Sequence, residues 1–340
     1  AMSDNGEGLL LMAYEYKGED TTVIWAGSED DGGTFPTAGS FTGRFEYPEA
    51  DYWGWFSFYR GTMVPKTAGQ TGNTQLVTIN HPMFTSEYGL SSWNWSQYGV
   101  GNMKSASIAC DSSQEYTDIP GEYRFGVISH VMTYQDVVDG PFFFYEQDTT
   151  ITGYAQLTWF TGITGCLSTS AEIDLATHYS YAVYDPYDDA ESQRYLLVRR
   201  DNFANMDDDS IGGGWIYALD PGEHIRYPMV AANNGNIVIV SEYFTDSSPD
   251  DVDIICWYAG NSAVDSLETA TVIATTDNEQ HPRVEHVGGL TFVCTFVRGD
   301  TLLQTVSEDA GLTWGTPEIV NTVPDDVVVN EFRTSDISEK

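Results

Sequence analysis

Ser307-Glu308-Asp309-Ala310-Gly311-Leu312-Thr313-Trp314 follows an apolar run, Thr301 to Val306, and leads into Gly315-Thr316-Pro317. The order of residue types suits a tight β-hairpin. Asp309 can accept hydrogen bonds from backbone amides inside the turn. Gly311 can take a positive φ. Thr313 suits the return strand, and Trp314 can pack beneath the turn. The same spacing occurs near the other end of the chain, where Ser28, Asp30, Gly32, Thr34 and Phe35 follow the run Thr21 to Ala26.

Both stretches read Ser-x-Asp-x-Gly-x-Thr-aromatic. They resemble the Asp box, or BNR repeat, of sialidases and related β-propellers. In that family the box joins the third and fourth strands of a blade, on the face opposite the binding site. The resemblance therefore implies an all-β propeller and gives Ser28, Asp30, Gly32, Thr34, Phe35, Ser307, Asp309, Gly311, Thr313 and Trp314 a structural role.

Outward from the boxes, short runs of β-formers recur between Gly, Asn, Asp and Pro, and helical periodicity is nearly absent. The clearest unit is His281-Pro282-Arg283-Val284, a turn at Gly288-Gly289, Leu290 to Val297, a turn at Arg298-Gly299-Asp300, and Thr301 to Val306. The unit before it is Arg226 to Val230, a turn at Asn233-Asn234-Gly235, Asn236 to Phe244, an acidic loop from Thr245 to Asp251, and Val252 to Tyr258, with the box reduced to Gly260-Asn261-Ser262. Looser units run from Tyr47 through Arg60 to Thr74–Asn80, from Met103 to Phe160, and from Tyr179 to Leu219. Residues 84–101, rich in Trp, Tyr and Ser, read as an insertion. The chain opens on a second strand, Leu9 to Tyr16, and ends on a first strand, Val327 to Glu339. Joining the two completes one unit and removes the open edges. The count is six blades, with seven as the alternative, in a single domain over residues 1–340.

The chain has 340 residues, 41% apolar and 14% aromatic, enough for a large core. No apolar run approaches the roughly 18 residues of a membrane helix, and no signal peptide is visible. Ala1-Met2-Ser3 reads as a cloning remnant, so a longer precursor is expected. The net charge is −37, from 51 acidic and 14 basic residues. Such a surface repels nucleic acid and anionic lipid; it suits cations, salty surroundings or an exported protein, with solubility or salt adaptation as the plainest reading. The four cysteines show no Cys-x-x-Cys pair, which speaks against zinc. Cys256 and Cys294, in neighbouring repeats, suit either a disulfide or two buried thiols. Asn94-Trp95-Ser96 is a lone glycosylation sequon.

Ligand chemistry is expected where the inner strands begin. Arg226, Arg283 and Arg333, three of ten arginines, stand near the starts of successive inner strands, with Tyr227, His281 and Tyr47 beside them. Guanidinium forks suit a carboxylate or sulfate. Alternatively, nearby acids such as Glu223, Glu285 and Glu331 would pair with them. Ile225-Arg226-Tyr227-Pro228 is similar to the sialidase Phe-Arg-Ile-Pro motif in its Arg and Pro. It lies late in the chain, and no downstream Asp acid or Tyr nucleophile follows the family pattern, so no catalytic residue is assigned. The acidic runs Asp185 to Asp189, Asp207 to Asp209 and Asp246 to Asp251 concentrate oxygen ligands suited to calcium, and Asp246, Asp250 and Asp251 are the candidate metal ligands. Trp53, Trp55, Trp93, Trp95 and Tyr98 suit either a sugar-stacking platform or packing between blades. The expected function is a non-catalytic propeller module of a larger extracellular chain that binds a glycan or a protein. A glycoside hydrolase of sialidase type and a structural spacer are the alternatives.

Overall fold

In the computed structural model every regular element among the described residues is a β-strand. The structure describes residues 168–322 except 178, 189–192, 203–213, 274 and 276, with side chains for most of 168–320; before residue 168 it describes the strand backbones named below, Thr34, and the side chains of Ala26 and residues 107–110. Two compact units are present, the first containing β1 to β11 and the second β12 to β25.

Three antiparallel sheets form the first unit. They are β1 (Met2–Asp4), β2 (Leu9–Lys17), β3 (Asp20–Ser28) and β4 (Thr37–Phe41); β5 (Phe45–Trp53), β6 (Phe58–Pro65) and β7 (Gln75–Asn80); and β8 (Met103–Cys110), β9 (Val127–Tyr134), β10 (Phe142–Gln147) and β11 (Thr150–Gln156). One expectation changes here. The chain does not open on a second strand, because Met2–Asp4 pairs with Leu9–Leu11. A strand of three residues carries too little pattern to be read in sequence. The run Tyr47 to Arg60 forms the first two strands of its unit, Trp53 pairing with Phe58, and Gln75–Asn80 the third. The first box, apart from Ser28 at the end of β3 and Thr34, the insertion at 84–101 and the closing segment Val327–Glu339 lie outside the described residues.

The second unit holds three more sheets. The fourth comprises β12 (Ile163–Thr164), β13 (Thr169–Asp174), β14 (Tyr179–Tyr184), β15 (Tyr187–Asp188), β16 (Gln193–Asn202) and β17 (Gly214–Ala218). Here β12 and β15 prolong β13 and β14 beyond an interruption at Asp185-Pro186, where Pro cannot donate to the ladder. Sheet five is β18 (Glu223–Asn233), β19 (Asn236–Thr245), β20 (Ser248–Ala259) and β21 (Glu268–Ile273). Sheet six is β22 (Glu279–Gly288), β23 (Thr291–Arg298), β24 (Thr301–Ser307) and β25 (Glu318–Thr322). The expected acidic loop at 245–251 is a hairpin turn at Asp246-Ser247, with Ser248 already in β20. Charge at those positions is tolerated because that end of β20 is exposed.

Sheet five is covered on both faces, and its sequence shows why. Successive side chains of a strand point to opposite faces. In β19, Ile237 and Ile239 join the core shared with sheet four, around Tyr181, Val183, Leu196 and Val198. Val238 and Val240 join the core shared with sheet six, around Phe292, Cys294 and Phe296. A continuous branched run therefore stabilises two interfaces, each fully buried side chain contributing about 1.5–3 kcal/mol. Cys256 and Cys294 lie in the second core as free thiols, and burial pushes both thiol pKa values upward.

The box after β24 folds as its residues require. Asp309 Oδ1 accepts from the Thr313 amide at 2.8 Å, and Oδ2 from its hydroxyl at 2.6 Å. Ser307 Oγ accepts from the Gly311 amide at 2.8 Å, and the Trp314 indole donates to the Gly311 carbonyl at 3.1 Å. The Ala310 amide donates to Leu290 in the β22–β23 turn, and the reduced box makes the equivalent bond from Ser262 to Gly235. Desolvation alone would raise the Asp309 pKa, but the hydrogen bonds from Thr313 and Ser307 outweigh it and hold the carboxyl below its ordinary 3.8. A lowered folded-state pKa means the contribution is complete above the unfolded value and is lost as pH falls through the folded one. Asp309→Ala is therefore expected to cost about 1–3 kcal/mol near neutral pH, a gap that narrows below about pH 4. Urea melts of both proteins across pH 3–7 check this; a gap that widens on acidification would contradict the assignment.

Candidate ligand site on the inner strands

The candidate site is built on a repeated irregularity. Tyr227 and Pro228 of β18 together oppose the single residue Ser241, and the register slips between Arg226 and Met229. In β22, His281 and Pro282 oppose Phe296 in the same way. β5 repeats the slip at Tyr47-Pro48, between Glu46 and Glu49. A residue before proline is normally extended. Here Tyr227 and His281 both adopt φ +55°, a left-handed conformation that costs roughly 1–2 kcal/mol outside glycine. Each is held by a carboxylate from the preceding sheet. The Tyr227 amide donates to Asp185 Oδ2 at 3.2 Å, and the His281 amide to Glu242 Oε1 at 2.7 Å. Both acids are fully buried.

Around these bulges the side chains interlock. Arg226 donates through Nε to Glu242 Oε2. Its guanidinium carbon lies 5.0 Å from the Phe244 ring centre and 6.0 Å from that of Tyr227. His224 stacks on the other end of the ladder, 5.1 Å from Phe244, and meets Asp246 Oδ1 at 2.7 Å. The Tyr227 and His281 rings are 5.9 Å apart, and His281 Nδ1 is 4.0 Å from Glu242 Oε1. Glu242 is 1% exposed at its side chain, whereas Arg226 is 30% exposed. The buried acid thus fixes the arginine through Nε. No described residue bonds the two terminal nitrogens of Arg226.

The box lies at the far end of these strands, since Ala310 and Ser262 bond the turns that close β22 and β18. From His281 to Gly288 the separation along the strand is about 23 Å. Of the expected ligand residues, Arg226, Tyr227 and His281 come together. Arg283 does not join them: it is buried, with its guanidinium directed at the Met229 sulfur. Tyr47 occupies the matching bulge of β5, and Arg333 lies outside the described residues. Glu223, proposed as an arginine partner, instead accepts from the Tyr243 hydroxyl at 2.6 Å. Burial and this bond push the Tyr243 pKa up to about 12.

The candidate metal ligands are not brought together. Asp246 serves His224 at the turn, and Asp250 and Asp251 are consecutive residues of a strand, whose side chains point to opposite faces. Among the described residues no three carboxylates, imidazoles or thiols could hold a metal ion. Asp185 is not a solvated loop acid either, since its oxygens cap the amides of Ser168 and Tyr227. Glu242, His224 and Phe244 escaped the sequence reading as site residues, and Asp185 entered it only as part of an acidic run. For Glu242 a signal existed: an acid directly following the apolar run Ile237 to Val240 and Ser241.

No protein-family model matches the sequence, and no curated protein sequence does. Solved structures do resemble it. The lectin of the fungus Aleuria aurantia, a six-bladed β-propeller with a fucose recognition mode, aligns over 97% of this chain and 96% of its own, with TM-score 0.54 and 10% identity. The fold is that of a β-propeller. A GH93 α-L-arabinofuranosidase of Fusarium graminearum, solved with arabinobiose, aligns over 82% of each chain at TM-score 0.53 and 10% identity. An α-L-arabinanase of Penicillium chrysogenum, also solved with arabinobiose, covers 80% of each chain at TM-score 0.50 and 10% identity. In propeller terms, β13, β18 and β22 are the inner strands of successive blades, with β13 packed beside β18 and β18 beside β22.

Proposed function

We propose that this chain is a six-bladed propeller that binds a carbohydrate at the inner-strand face of Arg226, Tyr227 and His281 without cleaving it. The observation that carries the reading is the paired bulge. Two consecutive blades hold an aromatic ring in a costly left-handed conformation, each over a buried carboxylate. Strain of this kind clusters at binding sites. The resulting surface combines ring faces, which stack on the apolar face of a sugar, with guanidinium donors for its hydroxyls. The fold neighbours that recognise fucose or hold arabinobiose support the ligand class. Non-catalysis is supported by Glu242: the carboxylate beside Arg226 is buried, with both oxygens engaged, whereas a glycosidase needs two carboxyls facing the scissile bond. The acidic surface, at −37, supports an extracellular setting.

Tyr227→Gly tests the site selectively, because glycine suits φ +55° and removes only the ring. The expected result is at least about tenfold weaker glycan binding with a melting curve close to wild type. Steady hydrolysis of an aryl arabinofuranoside or a fluorogenic sialoside by the wild-type protein would replace the binding reading with the glycoside hydrolase.

A further inference from the structure

The arginine that faces solvent in this site is not an available positive charge. Glu242 pairs with Arg226 through Nε, and Arg283 is buried behind Met229. Arg194 is bound to the Asp185 carbonyl through Nη1, Arg298 is paired with Glu279, and the other groups are acidic or shared with acids. His224 lies against Asp246, and His281 against Glu242. Asp185 stands beneath the Tyr227 amide, and Glu223 is two residues before Ile225 in the same strand. An anionic ligand therefore meets guanidinium groups already engaged by protein oxygens, several carboxylates, and the −37 field of the chain. A hydroxyl oxygen meets no such cost. It needs a well-placed donor, which the guanidinium terminus supplies whether or not its charge is balanced.

We propose that the site selects neutral saccharides, with the Glu242-paired Arg226 offering its two terminal nitrogens to adjacent ring hydroxyls, and that it rejects the carboxylated counterparts. The inference rests on the carbohydrate-binding reading above and goes further, since the same face could otherwise accept acidic glycans. Buried Glu242 is on this account a selectivity device. It holds the fork in place and cancels the charge that would attract a uronate or sialate.

The probe is a printed array of matched pairs: galacto- and galacturono-oligosaccharides, gluco- and glucurono-oligosaccharides, lactose and sialyllactose. Hits are then measured in solution by calorimetry between 50 and 500 mM salt. The expected result is binding confined to neutral members, with carboxylated partners weaker by roughly tenfold or more and with little salt dependence. Glu242→Gln keeps an acceptor for the His281 amide but unmasks Arg226. It should reduce the neutral-to-acidic preference by roughly tenfold. Should that variant not fold, the wild-type pair ratios and salt series decide alone. Equal or stronger binding of carboxylated members overturns the selectivity and leaves carbohydrate binding intact. Binding of no saccharide from either class overturns both.

Discussion

Asp174→Ala is expected to remove about 4 kcal/mol of folding stability. Asp174 ends β13, is 1% exposed, and has both oxygens engaged. Within its own turn it accepts from the Ala176 amide at 3.0 Å and the Thr177 hydroxyl at 2.8 Å. Across to the next blade it accepts from the amides of Asn234 at 3.0 Å and Gly235 at 2.7 Å. Those two amides form the turn between β18 and β19, and the Gly235 carbonyl in turn receives the Ser262 amide. Hydrogen bonds to a charged acceptor contribute about 1.5–3 kcal/mol each. Ala176 is exposed and can turn to water, so the two inter-blade bonds dominate the loss. Asp174→Asn keeps one acceptor oxygen and should lose about half as much. Urea unfolding with an unchanged slope would read the difference directly; a loss below about 1 kcal/mol for Asp174→Ala would mean the turn finds other acceptors.

Gly311→Ala should cost about 3 kcal/mol, and the comparison with Gly289→Ala separates its two causes. Gly311 has φ +91°, and a Cβ there would meet Tyr258 Cβ at 3.0 Å, Val238 Cγ2 at 3.1 Å and Cys256 Sγ at 3.2 Å. All three belong to the preceding blade and sit in packed core, so they cannot yield cheaply. Overpacking of this kind costs about 1–3 kcal/mol, with the left-handed backbone adding roughly 1–2. Gly289 has φ +61° and open space where a Cβ would stand. Its replacement carries only the backbone term, about 1 kcal/mol. If both substitutions cost the same, the box does not dock on the neighbouring blade as described.

Much of this architecture is legible in the chain itself. The strands of the last two blades, their turns at Asn234-Gly235 and Gly299-Asp300, and the box at Ser307 to Trp314 all depend on residues close in sequence. Asp309 reaches Thr313 four residues on, and the split of Ile237 to Val240 between two cores follows from the two-residue period of a strand. Local geometry decides such features, so residue type and spacing suffice to read them.

What the tertiary structure decided is which groups meet. Tyr227 and Asp185 are 42 residues apart, His281 and Glu242 are 39, and Gly235 and Asp174 are 61. In sequence, three arginines at inner-strand starts looked like a convergent anion site. Folding takes Arg283 into the core and gives Arg226 a buried partner. Pairing at this range depends on how one blade stacks on the next, and no local pattern of residues encodes that stacking. A carboxylate carried into an interior must find donors there, because leaving it unpaired costs several kcal/mol. The nearest donors belong to the neighbouring blade, and they determine the form of the site.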